Sequence, residues 1–260
     1  MHEGEGSGAL IVMPTFNEAR TLAEMVQRVH GALPGAHVLV IDDASPDGTG
    51  EVADHLARDP RVRVMHRSGK LGLGTAYVAG FRIALEDGYS WVIEMDSDAS
   101  HQPEELERLL AAAREGAGLV IGTRWMAGGD VQGWPRYRRW ISRTGTRVAR
   151  AALRSRLLDI TSGFRLIERS WLARLDLDGV TSQGYGFQVE TAWTLERFGC
   201  PIAEVPMTFT ERAAGRSKMS VGIVFEALGR VLGWGWKLRF APERLPSVTA
   251  EHLRDASPDR

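Results

Sequence analysis

Trp91-Val92-Ile93-Glu94-Met95-Asp96-Ser97-Asp98 is an apolar run closed by two carboxylates one residue apart. A short run of this kind has the length and composition of a buried strand. The carboxylates then fall at its carboxyl-terminal mouth. Other stretches repeat the construction. Ala9–Met13 leads into Pro14-Thr15-Phe16-Asn17-Glu18, and Val38–Ile41 into Asp42-Asp43. Val62–Met65 precedes a glycine-rich stretch, and Leu119–Gly122 ends at Thr123-Arg124. Helical patterns separate them. Ala19–Ala32 sets Leu22, Met25, Val26 and Val29 on one face, and Thr49–Ala57 follows the second strand. Thr75–Leu85 carries Val78, Phe81, Ile83 and Leu85, and Pro103 opens a helix whose apolar face is Leu106, Leu109 and Leu110. Strands alternating with helices specify an α/β fold with a mostly parallel central sheet flanked by helices. Such sheets bind ligands at the carboxyl ends of their strands. The loops Pro14–Glu18, Asp42–Gly48, Asp96–His101 and Thr123–Gly129 all lie there.

The composition is that of a soluble globular chain. At 260 residues it can bury a substantial core. The net charge of −1 gives the whole molecule no bias towards polyanions. Cys200 is the only cysteine, so no internal disulfide forms. Residues 1–8 are Gly/Glu-rich without an apolar core and do not read as a signal peptide. The expected organisation is a flexible start over residues 1–8, a catalytic domain over 9–216, an amphipathic helix over 217–240 and a loose tail over 241–260.

The second half has a different character. Arg136 to Arg156 carries eight arginines, and no acid occurs from Val131 to Leu158. Arg139, Arg143, Arg147, Arg150 and Arg154 recur at helical spacing and predict one basic face. The residues between them are mostly Ala, Leu, Ile and Val, which argues against nucleic acid as a partner. A solvated face is the ordinary reading, and an anionic membrane surface the sharper one. Ala203–Thr210 reads as a strand or hairpin piece broken by Pro206. Ser217–Phe240 reads as an amphipathic helix with Val221, Val224, Phe225, Leu228, Val231 and Leu232 as its stripe. Trp234, Trp236, Lys237 and Arg239 give its end the composition of a membrane–water interface. No stretch has the apolar length of a spanning helix.

Asp96 and Asp98 make an oxygen-rich mouth suited to a hard divalent cation, which takes one or two carboxylates plus substrate phosphate oxygens. A turn with solvated carboxylates has the same pattern. Ser100 or His101 could complete the metal shell, although His101 also reads as a residue ahead of the Pro103 helix. In Asp42-Asp43-Ala44-Ser45-Pro46-Asp47-Gly48-Thr49 the right half is a turn, with Pro setting φ, Gly supplying positive φ, and Thr49 or Asp47 capping a helix. That leaves Asp42 and Asp43, two adjacent carboxylates that would repel each other. There they could accept hydrogen bonds from a sugar or base. Lys70-Leu71-Gly72-Leu73-Gly74-Thr75 resembles half a phosphate loop but lacks the Walker order. It reads equally as a strand-to-helix turn, with Lys70 a charge partner for phosphate. Arg124 lies on the same rim, and phosphate favours a bidentate guanidinium. Ser162-Gly163-Phe164-Arg165 and Phe187-Gln188-Val189-Glu190 place polar groups among apolar ones without a pattern that separates turn or surface from site. There is no nucleophile elbow, zinc spacing or Ser-His pair, so the expected chemistry is positioning of charged substrates.

Met13–Glu18, Asp42–Thr49, Gly69–Thr75, Met95–His101, Gly122–Arg124, Asp159–Arg165 and Glu204–Pro206 occur in an order and spacing that resemble the dolichol/polyprenol-phosphate mannosyltransferases of glycosyltransferase family 2, over roughly residues 9 to 220. The Lys-Leu-Gly-Leu-Gly-Thr and Thr-Ser-Gly-Phe-Arg segments point to this subfamily. The resemblance implies a GT-A (Rossmann-like) fold and inverting transfer of mannose from GDP-mannose to a polyprenyl phosphate. It implies that Pro14, Phe16, Glu18, Asp42, Asp43, Lys70 and Ser97 hold the nucleotide-sugar. Asp96 and Asp98 would hold Mg²⁺ or Mn²⁺, with Ser100 at the third position, where relatives can have Gln. Arg124, Arg138 and Ser142 match the acceptor-phosphate positions. Arg212 and Lys218 would lie on a loop closing over the donor. Relatives without membrane spans imply a peripheral protein at the cytoplasmic face of the membrane, in some cases beside an integral-membrane acyltransferase. A UDP-sugar-dependent hexosyltransferase and a non-catalytic nucleotide-binding subunit are the competing expectations. The acceptor phosphate, with a second pKa of about 6, needs no strong general base.

Overall fold

The computed structural model describes residues 6–179 and 184–211, together with residues 229, 231–236 and 239. Its first five strands are those expected, displaced by a residue or two at their ends. They are β1 (Ala9–Thr15), β2 (His37–Asp42), β3 (Val62–His66), β4 (Trp91–Glu94) and β5 (Leu119–Thr123). The helices between them are α1 (Leu22–Ala32), α2 (Thr49–Leu56), α3 (Leu73–Glu86) and α4 (Leu106–Arg114), the last entered through a 3-10 turn at Pro103–Glu105. Downstream come β6 (Asp130–Gln132), α5 (Arg136–Leu153), β7 (Arg165–Glu168), α6 (Arg169–Leu172), α7 (Tyr185–Arg197), β8 (Ile202–Pro206) and β9 (Thr208–Thr210).

The central sheet has seven strands in the order β3-β2-β1-β4-β7-β5-β8. β1 pairs in parallel with β2 and β4, β2 with β3, and β5 with β8. β7 lies between β4 and β5 and is antiparallel to both. The sheet is therefore mostly parallel, with one reversed strand that the alternation of runs does not announce. Ala203–Thr210 is not a hairpin. β8 joins the large sheet, whereas β9 crosses to pair in parallel with β6.

Apolar alternation buries both faces of the sheet, as a parallel arrangement requires. Ile11, Met13, Val38 and Ile93 pack against Met25, Val29 and Leu109 of α1 and α4. Leu10, Val12, Val92 and Ile121 pack against Tyr77, Phe81 and Phe187 of α3 and α7. Tyr77 and Phe187 are stacked at 5.7 Å.

α5 covers nearly the whole arginine-rich stretch and ends at Arg154, whose φ of 54° closes the helix in the left-handed region. Tyr137, Trp140 and Ile141 are exposed on it. Aromatic residues thus accompany the basic helix more than its interleaved aliphatics foretell. Residues 231–236 are helical. Trp234 is buried and stacks on Trp193 of α7 at 6.0 Å, while Leu232 and Trp236 are exposed. An apolar groove of ≈ 390 Å³ between Val148 and Ala152 of α5 and Leu232 and Trp236 follows from this packing. Val221, Val224, Phe225 and Leu228, the rest of the expected stripe, lie outside the described residues, as do Arg212 and Lys218. Among the described residues no helix is long and apolar enough to cross a membrane.

Candidate active site

The carboxyl ends of β1, β2 and β4 meet on one rim, and their loops hold each other. Thr15 at the end of β1 donates from Oγ1 to Asp42 Oδ1 at 3.0 Å. Ser45 closes on the same carboxylate through its N–H at 3.1 Å and its Oγ at 2.6 Å. Asn17 N donates to Ser45 Oγ, and Ser97 Oγ to Pro14 O at 3.3 Å. Asn17, Ala44 and Ala99 all have left-handed φ, at 63°, 53° and 64°. For a residue with a Cβ this costs on the order of 1–2 kcal/mol. Its repetition in three neighbouring loops marks a rim shaped for something other than stability.

Asp42 and Asp43 do not form a repelling pair. Consecutive residues at a strand end point to opposite sides, and Asp43 turns to Arg67. The two are buried and in contact at 2.6 Å, an ion pair rather than an aligned hydrogen bond. Asp43 Oδ2 also accepts the N–H groups of Leu71 and Gly72 at 3.2 and 3.3 Å. Arg67 grips Gly72 O and Thr75 Oγ1 from the other side. This corrects the phosphate-loop reading: two of the loop's amides are committed to Asp43. The loop is a braced entry to α3, with Gly72 at φ 100°. Lys70 projects from it with Nζ 4.3 Å from the centre of the Phe16 ring. Two expected nucleotide-site residues from different loops are thus brought together.

Asp96 and Asp98 differ in setting. The Asp96 side chain is 31% exposed at the mouth, whereas Asp98 is buried and accepts Ser100 N–H at 3.0 Å. Asp96 N donates to His101 Nδ1 at 3.0 Å, so the imidazole proton resides on Nε2, 4.0 Å from Asp96 Oδ2. A ring so engaged has no lone pair to give a metal. His101 is a brace, packed against Phe164 and Phe209 at 5.2 and 5.7 Å. Ser100 Oγ is buried without a hydrogen-bond partner. An orphaned oxygen beside Asp98 fits a hard cation completed by substrate oxygens. No three His, Cys, Asp or Glu side chains converge among the described residues.

Across β7 lies the second half of the rim. Arg124 is buried and forked onto Asp159, Nε to Oδ2 at 2.7 Å and Nη2 to Oδ1 at 2.8 Å. Thr161 Oγ1 takes Nη2 at 3.0 Å. Glu204 of β8 fixes this turn, accepting Leu158 N, Asp159 N and Thr123 Oγ1 at 2.8, 3.2 and 3.0 Å. Arg124 is therefore no surface arginine. Its guanidinium lies 5.9 Å from the Trp134 ring, and Arg138 lies 4.1 Å from the same indole. Trp134 brings together two residues separated in sequence. Phe209 joins both halves, 5.3 Å from Trp134 and in edge contact with His101. Arg138 pairs with Glu211 at 3.1 Å, and Ser142 stands one helical turn further along α5, half-buried.

A buried polar cluster underlies the rim. Glu94, wholly buried, accepts Gln188 Nε2 at 2.7 Å. Burial pushes its carboxyl up to about 7 against the opposing pull of Arg165 and Gln188, with nearby Asp96 adding to the rise. Burial likewise lowers Arg165 and raises Tyr77 well above its ordinary value. Glu94, Arg165, Gln188, Arg67, Trp134 and Phe209 carried no role in the sequence reading. Polar residues among apolar ones signalled the segments of Arg165 and Gln188, whereas Glu94 read as part of an apolar run.

Residues 10–176 match the family model of glycosyl transferase family 2. The chain is 50% identical over 228 residues to polyprenol monophosphomannose synthase of Mycolicibacterium smegmatis, covering 87% of this chain and 86% of that protein. It is 50% identical over 232 residues to undecaprenyl-phosphate mannosyltransferase of Micrococcus luteus, covering 89% and 95%. Dolichol-phosphate mannosyltransferase of Pyrococcus furiosus is 34% identical over 226 residues, 85% of this chain and 62% of that protein. Among solved structures, glucosyl-3-phosphoglycerate synthase of Mycobacterium tuberculosis, in complex with Mn²⁺, uridine-diphosphate-glucose and phosphoglyceric acid, superposes with a TM-score of 0.65 at 22% identity. The match covers 90% of this chain and 80% of that one and establishes the GT-A fold.

Proposed function

We propose a function from one premise: the chain belongs to glycosyl transferase family 2 and is a glycosyltransferase. The proposed reaction moves mannose from GDP-mannose to a polyprenyl phosphate with inversion at the anomeric carbon. The observation that carries it is the identity of half the aligned residues with two relatives named for polyprenol and undecaprenyl phosphate mannose transfer. The site is consistent with that chemistry. Phe16 and Lys70 offer a ring and a cation on the rim of β1 and α3, where a nucleotide would lie with Pro14, Glu18, Asp42, Asp43 and Ser97.

Asp96, Asp98 and Ser100 would hold Mg²⁺ or Mn²⁺ against the diphosphate. A divalent cation there neutralises the charge that develops on the leaving group. Arg124, Arg138 and Ser142 would receive the acceptor phosphate beside Trp134. Its oxygen bonds to the anomeric carbon, the bond from that carbon to the diphosphate oxygen breaks, and the electron pair leaves on GDP. The phosphate is already ionised at neutral pH, so the residues orient and neutralise without accepting a proton. Lipid access is proposed through the exposed Tyr137, Trp140 and Ile141 of α5 together with Leu232 and Trp236. These are interface-type side chains on a basic helix.

The decisive experiment supplies labelled GDP-mannose, a short polyprenyl phosphate and Mg²⁺ or Mn²⁺, with UDP-glucose as the competing donor. Polyprenyl-phosphate mannose is the expected product. Transfer from the UDP-sugar alone, or from neither donor, overturns the reading.

A further inference from the structure

By volume, Arg165 leads the fully buried side chains. A buried guanidinium is expensive to desolvate, and stability is often served as well by an apolar residue of similar size. Its presence in a core strand therefore calls for a role beyond packing. Arg165 opens β7, the one reversed strand, and stands opposite Glu94 of β4 and Ile121 of β5. Its Nη1 donates to Gln188 O at 2.6 Å and Thr191 Oγ1 at 3.2 Å, and its Nη2 to Ile160 O at 2.7 Å. One planar fork thus ties α7 to the turn that follows Asp159.

Arg165 faces Glu94 across the β4–β7 pairing, and its bond to Ile160 O sets it one residue from Asp159. Each leads to one half of the rim. Asp159 holds Arg124. Glu94 ends β4 two residues before Asp96 and is held by the amide of Gln188. Gln188 also lies beside Gly163, near His101, whose ring fixes the Asp96 N–H. Polar groups therefore run from Arg124 through Asp159 and Arg165 to Glu94, at the strand end that leads into the loop of Asp96 and Asp98.

We propose that Arg165 is a positioning residue that holds the acceptor cation Arg124 and the carboxylates Asp96 and Asp98 at one fixed separation. It touches neither substrate, and the inference rests on the two-substrate reading above. Its loss leaves each substrate its own contacts but loosens their alignment. Misplacement of about 1 Å between reacting atoms costs on the order of 10²-fold in rate. The signature is a fall in kcat with little change in KM. Lysine keeps the charge but has a single donor centre on a flexible stem and cannot span the same three acceptors.

Two variants test this. Arg165→Lys retains the charge, and Glu94→Gln/Arg165→Met removes both members of the cross-strand pair while filling the volume. Melting temperature, Mn²⁺-dependent GDP binding by calorimetry, acceptor KM and kcat are measured on each. Arg165→Lys is expected to lose roughly 10–100-fold in kcat, with GDP affinity and acceptor KM within about two-fold of wild type. The double variant is expected to melt close to wild type and still turn over slowly. Recovery of kcat together with melting temperature in the double variant would assign Arg165 to stability alone and overturn the proposal. So would an effect of Arg165→Lys confined to KM or GDP affinity. Wild-type turnover with GDP-mannose tests the function independently. Should another nucleotide-sugar prove to be the donor, the same variant-to-wild-type ratios measured with it still decide the role of Arg165.

Discussion

Asp159→Asn is the perturbation that most directly probes the Arg124 half of the site. Asp159 is completely buried and Arg124 nearly so, and they meet through two charge-assisted hydrogen bonds of 2.7 and 2.8 Å with a third from Arg124 N at 3.2 Å. Asparagine keeps one acceptor oxygen but turns an NH₂ towards an Arg124 donor, leaving a buried cation without its counter-charge. Breaking a buried pair from one side costs about 3–5 kcal/mol. At about 2–4 °C per kcal/mol for a domain of this size, the melting temperature falls by roughly 6–20 °C. Urea unfolding followed by circular dichroism gives the free energy directly. A loss below about 1 kcal/mol, the value of a surface ion pair, would refute the reasoning, because the pair would then behave as though solvated. Arg124→Met/Asp159→Leu completes the argument. Removing both charges should restore most of the stability, while transfer to a phosphate acceptor stays impaired.

Asp98→Ala should fold normally and lose mannosyl transfer by on the order of 10²–10³-fold, and near-normal turnover would sink the metal assignment. Trp140→Ser/Ile141→Ser removes exposed apolar surface from α5. It should weaken sedimentation with anionic phospholipid vesicles while leaving transfer to a short, water-soluble prenyl phosphate intact, and undiminished vesicle binding counts against this face. Glu94 sets a pH dependence in the metal-free protein. Its carboxyl lies at about 7 instead of the ordinary 4.5, because burial disfavours the charged form. The folded state therefore holds a proton that the unfolded chain releases. The resulting stabilisation, roughly 3 kcal/mol, is complete below pH 4.5 and is lost as pH rises through about 7. Urea midpoints from pH 5 to 8 should fall more steeply for wild type than for Glu94→Gln, and parallel slopes reject the assignment.

The parallel strands were legible because each is an apolar run ending in a polar loop, a pattern local to the sequence. β7 was not. Its first residue is a fully buried arginine, and Ser162-Gly163 ahead of it reads as a turn. Strand direction within a sheet is set by tertiary pairing and leaves no local period. The rim carboxylates were located correctly, but their partners were not. Asp43 is committed to Arg67 and to the Leu71 and Gly72 amides, contacts across 24 to 29 residues that no motif encodes. Arg124 was placed on the rim, but its burial was not legible, since it depends on Asp159 and, behind that, on Glu204. The aromatic wall of Trp125, Trp134 and Phe209 around Arg124 comes from three separate segments and exists only after folding.

That wall and its ion pairs bear on how Arg124 and Arg138 would receive the proposed acceptor phosphate. A guanidinium has five N–H donors. Asp159 and Thr161 take the Nε–H and the Nη2 hydrogens of Arg124. The edge best suited to a bidentate phosphate grip is thereby committed to the protein. Arg124 is a fixed cation whose charge Asp159 largely offsets. Arg138 is different. Its partner Glu211 is 47% exposed, and the pair lies at the rim beside Trp134. Pairs of that exposure are worth about 0–1 kcal/mol, so exchanging a carboxylate for a phosphate dianion costs little. The division is physically economical. In the proposed reaction the rigid, neutralised Arg124 would set the geometry, and Arg138, one helical turn from Ser142 and paired with a half-exposed carboxylate, would supply charge at the rim. On the proposed reaction, two anionic substrates would then approach each other without an excess of buried positive charge for the fold to carry in their absence.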